Sequence, residues 1–143
     1  MDALILNRQH EHSISVSHLK RFASRLLQHL SIPDREFSLL LTNDCTIRRF
    51  NRDFRSKDNP TDILSFPLGR QRRVVPDFSS CYLGDIIISV EKAQQQALER
   101  KHSLLHEIKL LMIHGLLHLL GYDHERDQGQ MRRKELKIRR ELL

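Results

Sequence analysis

Three histidines, His114, His118 and His124, follow one another at intervals of four and six residues. Residues four apart lie on one face of a helix, with Cβ atoms about 6 Å apart, so both imidazoles can reach one metal ion. Gly121 can end such a helix and reverse the chain, which would return His124 as a third ligand. Three neutral nitrogen ligands leave one position of a tetrahedral Zn²⁺ open to water, as in catalytic zinc sites. That water would have a pKa of about 7 and supply hydroxide at neutral pH.

The alternative is that His114 and His118 are core histidines with hydrogen-bond partners inside the fold. Without a ligand, however, both rings would be costly polar groups in an otherwise apolar helix. The shared helix face, the glycine and the third histidine together favour metal binding. The sequence therefore predicts one Zn²⁺ per chain.

The histidine spacing is similar to the H-E-x-x-H-x-x-G-x-x-H pattern of metzincin proteases. Gly115 stands where those enzymes carry the glutamate that acts as general base. Glu107 shares the face of His114, but it lies two turns away, about 10 Å along the axis. We expect it to be a surface residue or one that hydrogen-bonds to a metal-ligating side chain. A peptidase would therefore lack its base.

The elements that must position these histidines follow from hydrophobic periodicity. Residues 104–120 are apolar nearly all round, which predicts a central buried helix that carries the histidines. Alternating or continuous apolar runs predict strands at 3–6, 36–42, 60–66 and 83–90. Helical spacing predicts helices at 17–30, after Asn43 or Asp44, at 91–100 and at 125–143, whereas 69–80 is predicted to be a mobile polar loop. We therefore expect one α+β domain over residues 1–143, with a small mixed β-sheet and about five helices.

Length and composition exclude several classes of protein. A chain of 143 residues and 16.9 kDa suits a single domain. Apolar residues at 39% and charged residues at 29% exclude a disordered chain. Cys45 and Cys81 form no C-x-x-C pair, which argues against a thiolate zinc cluster or a disulfide framework. No apolar run is long enough to cross a bilayer, so we expect a cytoplasmic protein without a membrane partner.

The net charge of +6 is concentrated in two segments of the chain. Residues 48–73 hold eight basic and three acidic side chains, and residues 125–143 hold seven basic and four acidic ones. A basic excess of this kind indicates either polyanion binding or the solvated face of a basic protein.

Three motifs carry a resemblance to a known family. The segment from His114 to His124 resembles the H-G-x-L-H-L-x-G-Y-D-H signature of the YbeY family. Residues 51–55 followed by 60–67 resemble that family's N-x-x-F/Y-R…P-T-D-V-L-S-F-P stretch, and residues 83–89 resemble its L-G-D-I-x-I-S strand. The matches run in family order from about residue 40 to residue 124.

The YbeY resemblance implies a bacterial rRNA maturation factor that acts as a zinc-dependent endoribonuclease specific for single strands. The implied roles are 3′-end processing of small-subunit 16S rRNA and ribosome quality control, with RNA and the small ribosomal subunit or its proteins as partners. The three histidines would be the zinc ligands, His114 and Arg55 the catalytic residues. An arginine beside a zinc site suits a phosphodiester, because its guanidinium binds phosphate oxygens bidentately and stabilises developing charge. Without the resemblance, Arg55 would be interpreted as an exposed helix residue.

Other residues have less specific roles. Asp85 and Asp123 could orient the ligand histidines, although Asp85 could equally cap a strand end and Asp123 could serve only the turn. Thr61 and Asp62 could shape the cleft or only pack a strand. We expect RNA phosphates to bind basic side chains of the 48–73 segment, namely Arg48, Arg49, Arg52 and Arg70.

Two other functions stay open from the sequence. One is a non-enzymatic ribosome assembly factor with structural zinc, although structural zinc usually takes four protein ligands rather than three. The other is a zinc peptidase, which Gly115 disfavours. The sequence identifies no general base, so either water or the RNA 2′-hydroxyl could be the nucleophile.

Overall fold

The computed structural model describes residues 3–68 and 81–143, which form five helices and one four-stranded sheet. The strands are β1 (Ala3–Asn7), β2 (Glu36–Thr42), β3 (Ile63–Pro67) and β4 (Tyr82–Ser89). The helices are α1 (Val16–His29), α2 (Asp44–Arg55), α3 (Val90–Arg100), α4 (Leu104–Leu119) and α5 (Gln130–Leu142). The predicted α+β class and the central histidine-bearing helix are confirmed. The loop predicted at 69–80 lies outside the described residues.

The sheet is mixed and has the strand order β1-β2-β4-β3. The pairs β1–β2 and β2–β4 are parallel, whereas β3 pairs with β4 in the antiparallel direction. Successive side chains of a strand point to opposite faces, so β4 serves two cores. Ile86 and Ile88 belong to the main core with α1, α4 and α5, while Ile87 packs with Ile47 of α2 on the other face.

Helix α4 runs through the main core and ends at the glycine that the sequence singled out. Ser103 caps its first turn by accepting a hydrogen bond from the amide of His106. At the other end Gly121 has a φ of 101°, its amide donates to the carbonyl of His118, and the Tyr122 amide donates to that of Leu117. These two bonds form a Schellman motif, which turns the chain sharply after α4. The predicted helix-ending glycine is therefore confirmed.

The last helix is shorter than predicted. It begins at Gln130 rather than at residue 125, because Asp127 accepts hydrogen bonds from the amides of Gly129 and Met131 and so organises a turn. Met131 and Ile138 are buried, and Leu142 packs against the main core. Across the described ranges, 3–68 and 81–143, no helix is long and apolar enough to span a bilayer.

Candidate metal centre

The three predicted histidines come together at the C-terminal end of α4. Their candidate ligand atoms all lie within 4.8 Å of one another, and the Nε2 atoms of His114 and His118 are 3.1 Å apart. A tetrahedral Zn²⁺ with bonds of about 2.0–2.1 Å holds its nitrogen ligands about 3.3 Å apart. The histidine cluster therefore matches the spacing that one such ion requires.

Hydrogen bonds fix the orientation of two of the rings. Nδ1 of His118 lies 3.0 Å from the carbonyl oxygen of Tyr122, which can only accept, so this nitrogen carries the proton. Nδ1 of His114 lies 3.0 Å from Oε1 of Glu135. When both rings are neutral, their Nε2 atoms carry no proton, and the two lone pairs point at each other. Two facing lone pairs repel, whereas a cation between them stabilises the arrangement. This geometry supports metal binding more strongly than the spacing alone.

The electrostatics of the site keep His118 in the form that binds a cation. Burial, and then the charges of His114 and His124, lower the pKa of His118 below its ordinary value, so the ring is neutral at pH 7. Burial opposes ionisation of Glu135, but its hydrogen bond to His114 and the nearby charges of that ring and Arg139 together lower its pKa. An ionised Glu135 is the acceptor that a metal-bound histidine usually has at its second nitrogen.

A cleft of 750 Å³ opens beside the histidines, and Arg55 forms part of its lining. Arg55 reaches the cleft from the last turn of α2, where its Nη2 donates to the carbonyl of Ser65 at 2.9 Å. The guanidinium also lies over the ring of Phe66, with Cζ 5.7 Å from the ring centroid. These contacts hold the group in place and leave further N–H donors for an anion. The structure thus brings Arg55 and all three histidines to one cleft.

Gly115 faces the sheet rather than the cleft. A Cβ atom at this position would lie 2.9 Å from Cδ1 of Ile63 and 3.1 Å from Cδ1 of Ile86. A glutamate at this position would therefore enter the main core between helix and sheet. The local packing excludes the general base of a metzincin peptidase.

Glu107 is fully buried, so the expectation of a surface position is wrong. Its Oε2 accepts from Nη1 of Arg100 at 3.0 Å, and its Oε1 lies 2.5 Å from Nε2 of His102. Glu107 therefore joins α4 to the end of α3 and has no contact with the ligand histidines.

The two aspartates predicted to orient ligands have different positions. Asp85 accepts from the hydroxyls of Ser38 and Tyr82 in a groove on the α2 face of the sheet, so the structure does not bring it to the histidines. Asp123 lines the cleft, and its Oδ1 accepts from the Glu125 amide at 3.0 Å, which stabilises the turn.

Among the described basic residues of the 48–73 segment, Arg55 alone lines the cleft. Arg48 pairs with Asp58 at 2.9 Å, Arg52 pairs with its neighbour Asp53 at 3.2 Å, and Arg49 is exposed. Arg70 lies outside the described residues. These ion pairs partly neutralise Arg48 and Arg52, and the phosphate-binding role of the four arginines stays a prediction.

Thr61 and Asp62 line the cleft, which agrees with the first of the two roles considered for them, that of shaping the cleft. Oδ2 of Asp62 accepts from Nε2 of Gln96 at 3.1 Å, so the carboxylate also joins the cleft wall to α3.

Glu135 is the functional residue that sequence reasoning missed. It lies four residues after Met131 and three before Ile138, so it shares the inward face of α5 with both buried side chains. A carboxylate on an apolar helix face requires a buried partner. That pattern was a signal from which Glu135 could have been found.

Comparisons with known proteins agree over nearly the whole chain. The family model described as Endoribonuclease YbeY matches residues 4–143. A Geobacter sulfurreducens protein named Endoribonuclease YbeY is 40% identical over 140 residues, covering 97% of this chain and 92% of the relative. A protein of the same name from Persephonella marina is 42% identical over 131 residues, covering 91% and 84%. A solution structure of a Thermotoga maritima protein superposes with a TM-score of 0.67 at 28% identity, covering 98% and 88%.

Proposed function

The chain belongs to the YbeY endoribonuclease family, and we propose that it cleaves single-stranded RNA with the help of one Zn²⁺ held by its three histidines. Family membership supports an RNA endonuclease that acts in rRNA maturation. The observation that carries the finer proposal is the position of Arg55 and the histidine cluster in one cleft, because a guanidinium and a Lewis acid together suit a phosphodiester.

Each residue of the site has a defined part in this proposal. His114, His118 and His124 hold the ion, while Glu135 and the Tyr122 carbonyl accept the Nδ1 protons of the first two rings. When bound, Zn²⁺ supplies a Lewis acid that polarises a phosphate oxygen and lowers the pKa of a ligand water. Arg55 donates to the non-bridging oxygens of the phosphate and stabilises the charge that develops on them.

We further propose that the substrate is the 3′ end of small-subunit 16S rRNA, with a second role in ribosome quality control. The site of action would be the cytoplasm, on the small ribosomal subunit or with its proteins. The family's role in rRNA maturation and the basic charge of +6 support a ribosomal substrate.

Metal analysis and RNA cleavage on the same preparations test the proposal. We expect the wild type to carry one zinc per chain and to cut a single-stranded RNA that spans the 16S 3′ end. His118→Ala should lose both properties, whereas Arg55→Ala should keep its zinc and cleave about 10²-fold more slowly. His10→Ala, which changes an exposed histidine outside the cleft lining, is the matched control and should equal the wild type.

Two outcomes would overturn the proposal. Cleavage by His118→Ala at the wild-type rate would indicate a contaminating nuclease, and retention of zinc by that variant would remove the site assignment. Analysis of the product ends distinguishes the nucleophile: a 2′,3′-cyclic phosphate requires attack by the RNA 2′-hydroxyl, whereas a linear phosphate as first product requires water.

A further inference from the structure

The charges of α5 are divided between its two sides. Both of its carboxylates turn inward to histidines: Oε1 of Glu135 lies 3.0 Å from Nδ1 of His114, and Oε2 of Glu141 lies 2.8 Å from Nε2 of His29. Arg139 also turns toward Glu135, at 3.7 Å. Within the described ranges, the five remaining cations of the helix form no ion pair: Arg132, Arg133, Lys134, Lys137 and Arg140.

Three of these cations form one row on the solvent side, which we call the α5 row. Arg133, Lys137 and Arg140 follow at i, i+4 and i+7, opposite the buried Met131 and Ile138, and all three are exposed. Like charges at these spacings repel and destabilise a helix. A polyanion laid along the row would offset that repulsion.

The row begins at the turn that leads from the cleft to α5. Nη1 of Arg133 donates at 3.2 Å to the carbonyl of Gln128, in the turn that joins His124 to α5. Glu125, in the same turn, lines the cleft, whereas the row itself lies on the side of α5 that faces away from Glu135 and His114. From Arg133 to Arg140 the row spans about 10 Å along the helix axis. A stacked single strand rises about 3.4 Å per nucleotide, so this length matches about three phosphates.

The α5 row and the basic segment 48–73 differ in whether carboxylates pair with their cations. Arg48 and Arg52 of α2 have carboxylate partners at 2.9 and 3.2 Å, whereas the row has none in the described part of the chain. A row of unpaired cations at the spacing of phosphates fits a nucleic acid backbone.

We propose that the α5 row binds the phosphate backbone of the RNA strand whose scissile bond lies at the three histidines. This inference rests on the proposed function, because it takes the RNA substrate of that site as the ligand. The strand then leaves the cleft along the outer face of the C-terminal helix.

Two triple variants of equal charge test the proposal. Arg133→Gln/Lys137→Gln/Arg140→Gln removes the row, and Lys20→Gln/Arg21→Gln/Arg25→Gln removes three equally exposed cations of α1. Binding of a labelled, fully 2′-O-methylated single strand of about 20 nucleotides would be followed by anisotropy across a range of KCl concentrations. Log affinity falls as log salt rises, and we expect this negative slope to become shallower by about 2 in the row variant. The affinity of that variant should fall about tenfold. The α1 variant should keep the wild-type slope, and both variants should keep the wild-type Tm within a few degrees.

Equal slopes for the two variants would overturn the proposal and make the row a solvated face. Loss of binding to phosphatidylglycerol vesicles in the row variant, with unchanged RNA binding, would also overturn it in favour of a lipid surface. Failure of the proposed function has a different signature: the wild type would show no zinc-dependent cleavage, while the slope difference between the variants would persist.

Discussion

Nδ1 of His114 lies 3.0 Å from Oε1 of Glu135, so the C-terminal helix supplies the partner of a metal ligand on α4. His118 differs, because its Nδ1 donates to the backbone carbonyl of Tyr122, only four residues along the chain. One ligand is therefore oriented by a local turn and the other by a side chain that arrives from a separate element.

Replacing Glu135 by alanine should weaken zinc binding by about 10- to 100-fold, because His114 loses the acceptor that orients it and raises its basicity. Competition with a chromophoric chelator measures this affinity. Glu141→Ala is the matched control, since Glu141 is also on α5 and makes the same kind of contact, with His29 of α1. Equal zinc affinity in the two variants would contradict the role of Glu135.

Replacing Arg55 by lysine should lower the single-turnover cleavage rate by about 10²-fold without loss of zinc. A lysine cannot at once donate to the Ser65 carbonyl, stack on Phe66 and bind a phosphate bidentately. Lys57→Arg, at an exposed position just beyond α2, serves as control and should be neutral. A wild-type rate for Arg55→Lys would show that only a positive charge is needed.

Replacing Gly115 by alanine should destabilise the protein by about 1 kcal/mol, although alanine favours a helix. The new Cβ would lie 2.9 Å from Cδ1 of Ile63. The free-energy cost of this overpacking exceeds the gain in helix propensity from glycine to alanine. Because Gly115 lies between the two ligands on α4, zinc affinity should fall as well. Urea unfolding with and without chelator measures both effects, and an increase in stability would show that Ile63 moves aside freely.

Replacing Glu107 by alanine should cost about 2 kcal/mol of unfolding free energy, the usual worth of hydrogen bonds to a charged group. Its carboxylate is fully buried and bonded to Arg100 and His102, so the change removes a polar link between α4 and the end of α3. Chemical denaturation provides the measurement. Glu99→Ala, at an exposed position of α3, should leave stability unchanged, and a similar loss there would contradict the specific role of Glu107.

Protonation of His106 should destabilise the fold below neutral pH. Burial, followed by the charges of His102 and Lys109, lowers its pKa below the ordinary value of 6.5. Between the folded-state pKa and 6.5 the unfolded chain binds more protons, so stability falls as the pH drops through this window. His106→Gln should show a shallower loss than the wild type between pH 7.5 and 5.5, measured by urea unfolding in chelator. Parallel pH profiles would contradict the assignment.

The sequence was most informative where structure depends on neighbours along the chain. The spacing of His114 and His118 and the helix-ending Gly121 are local features, and each has its predicted conformation. The sequence did not predict which side of the sheet Asp85 faces, because this depends on how β4 pairs with β2. The contact of Glu135 with a residue 21 positions away required the packing of α5 on α4. The start of α5 was misplaced because a single side chain, Asp127, organises the preceding turn.

The dependence of His114 on α5 also orders events during synthesis. A growing chain acquires all three histidines before Glu135 and before the basic row that follows it. A nascent chain that ends after His124 therefore has its ligands but not the acceptor that fixes the first of them. Tight metal binding therefore follows the synthesis of α5, because Glu135 orients His114 only once that helix packs against α4.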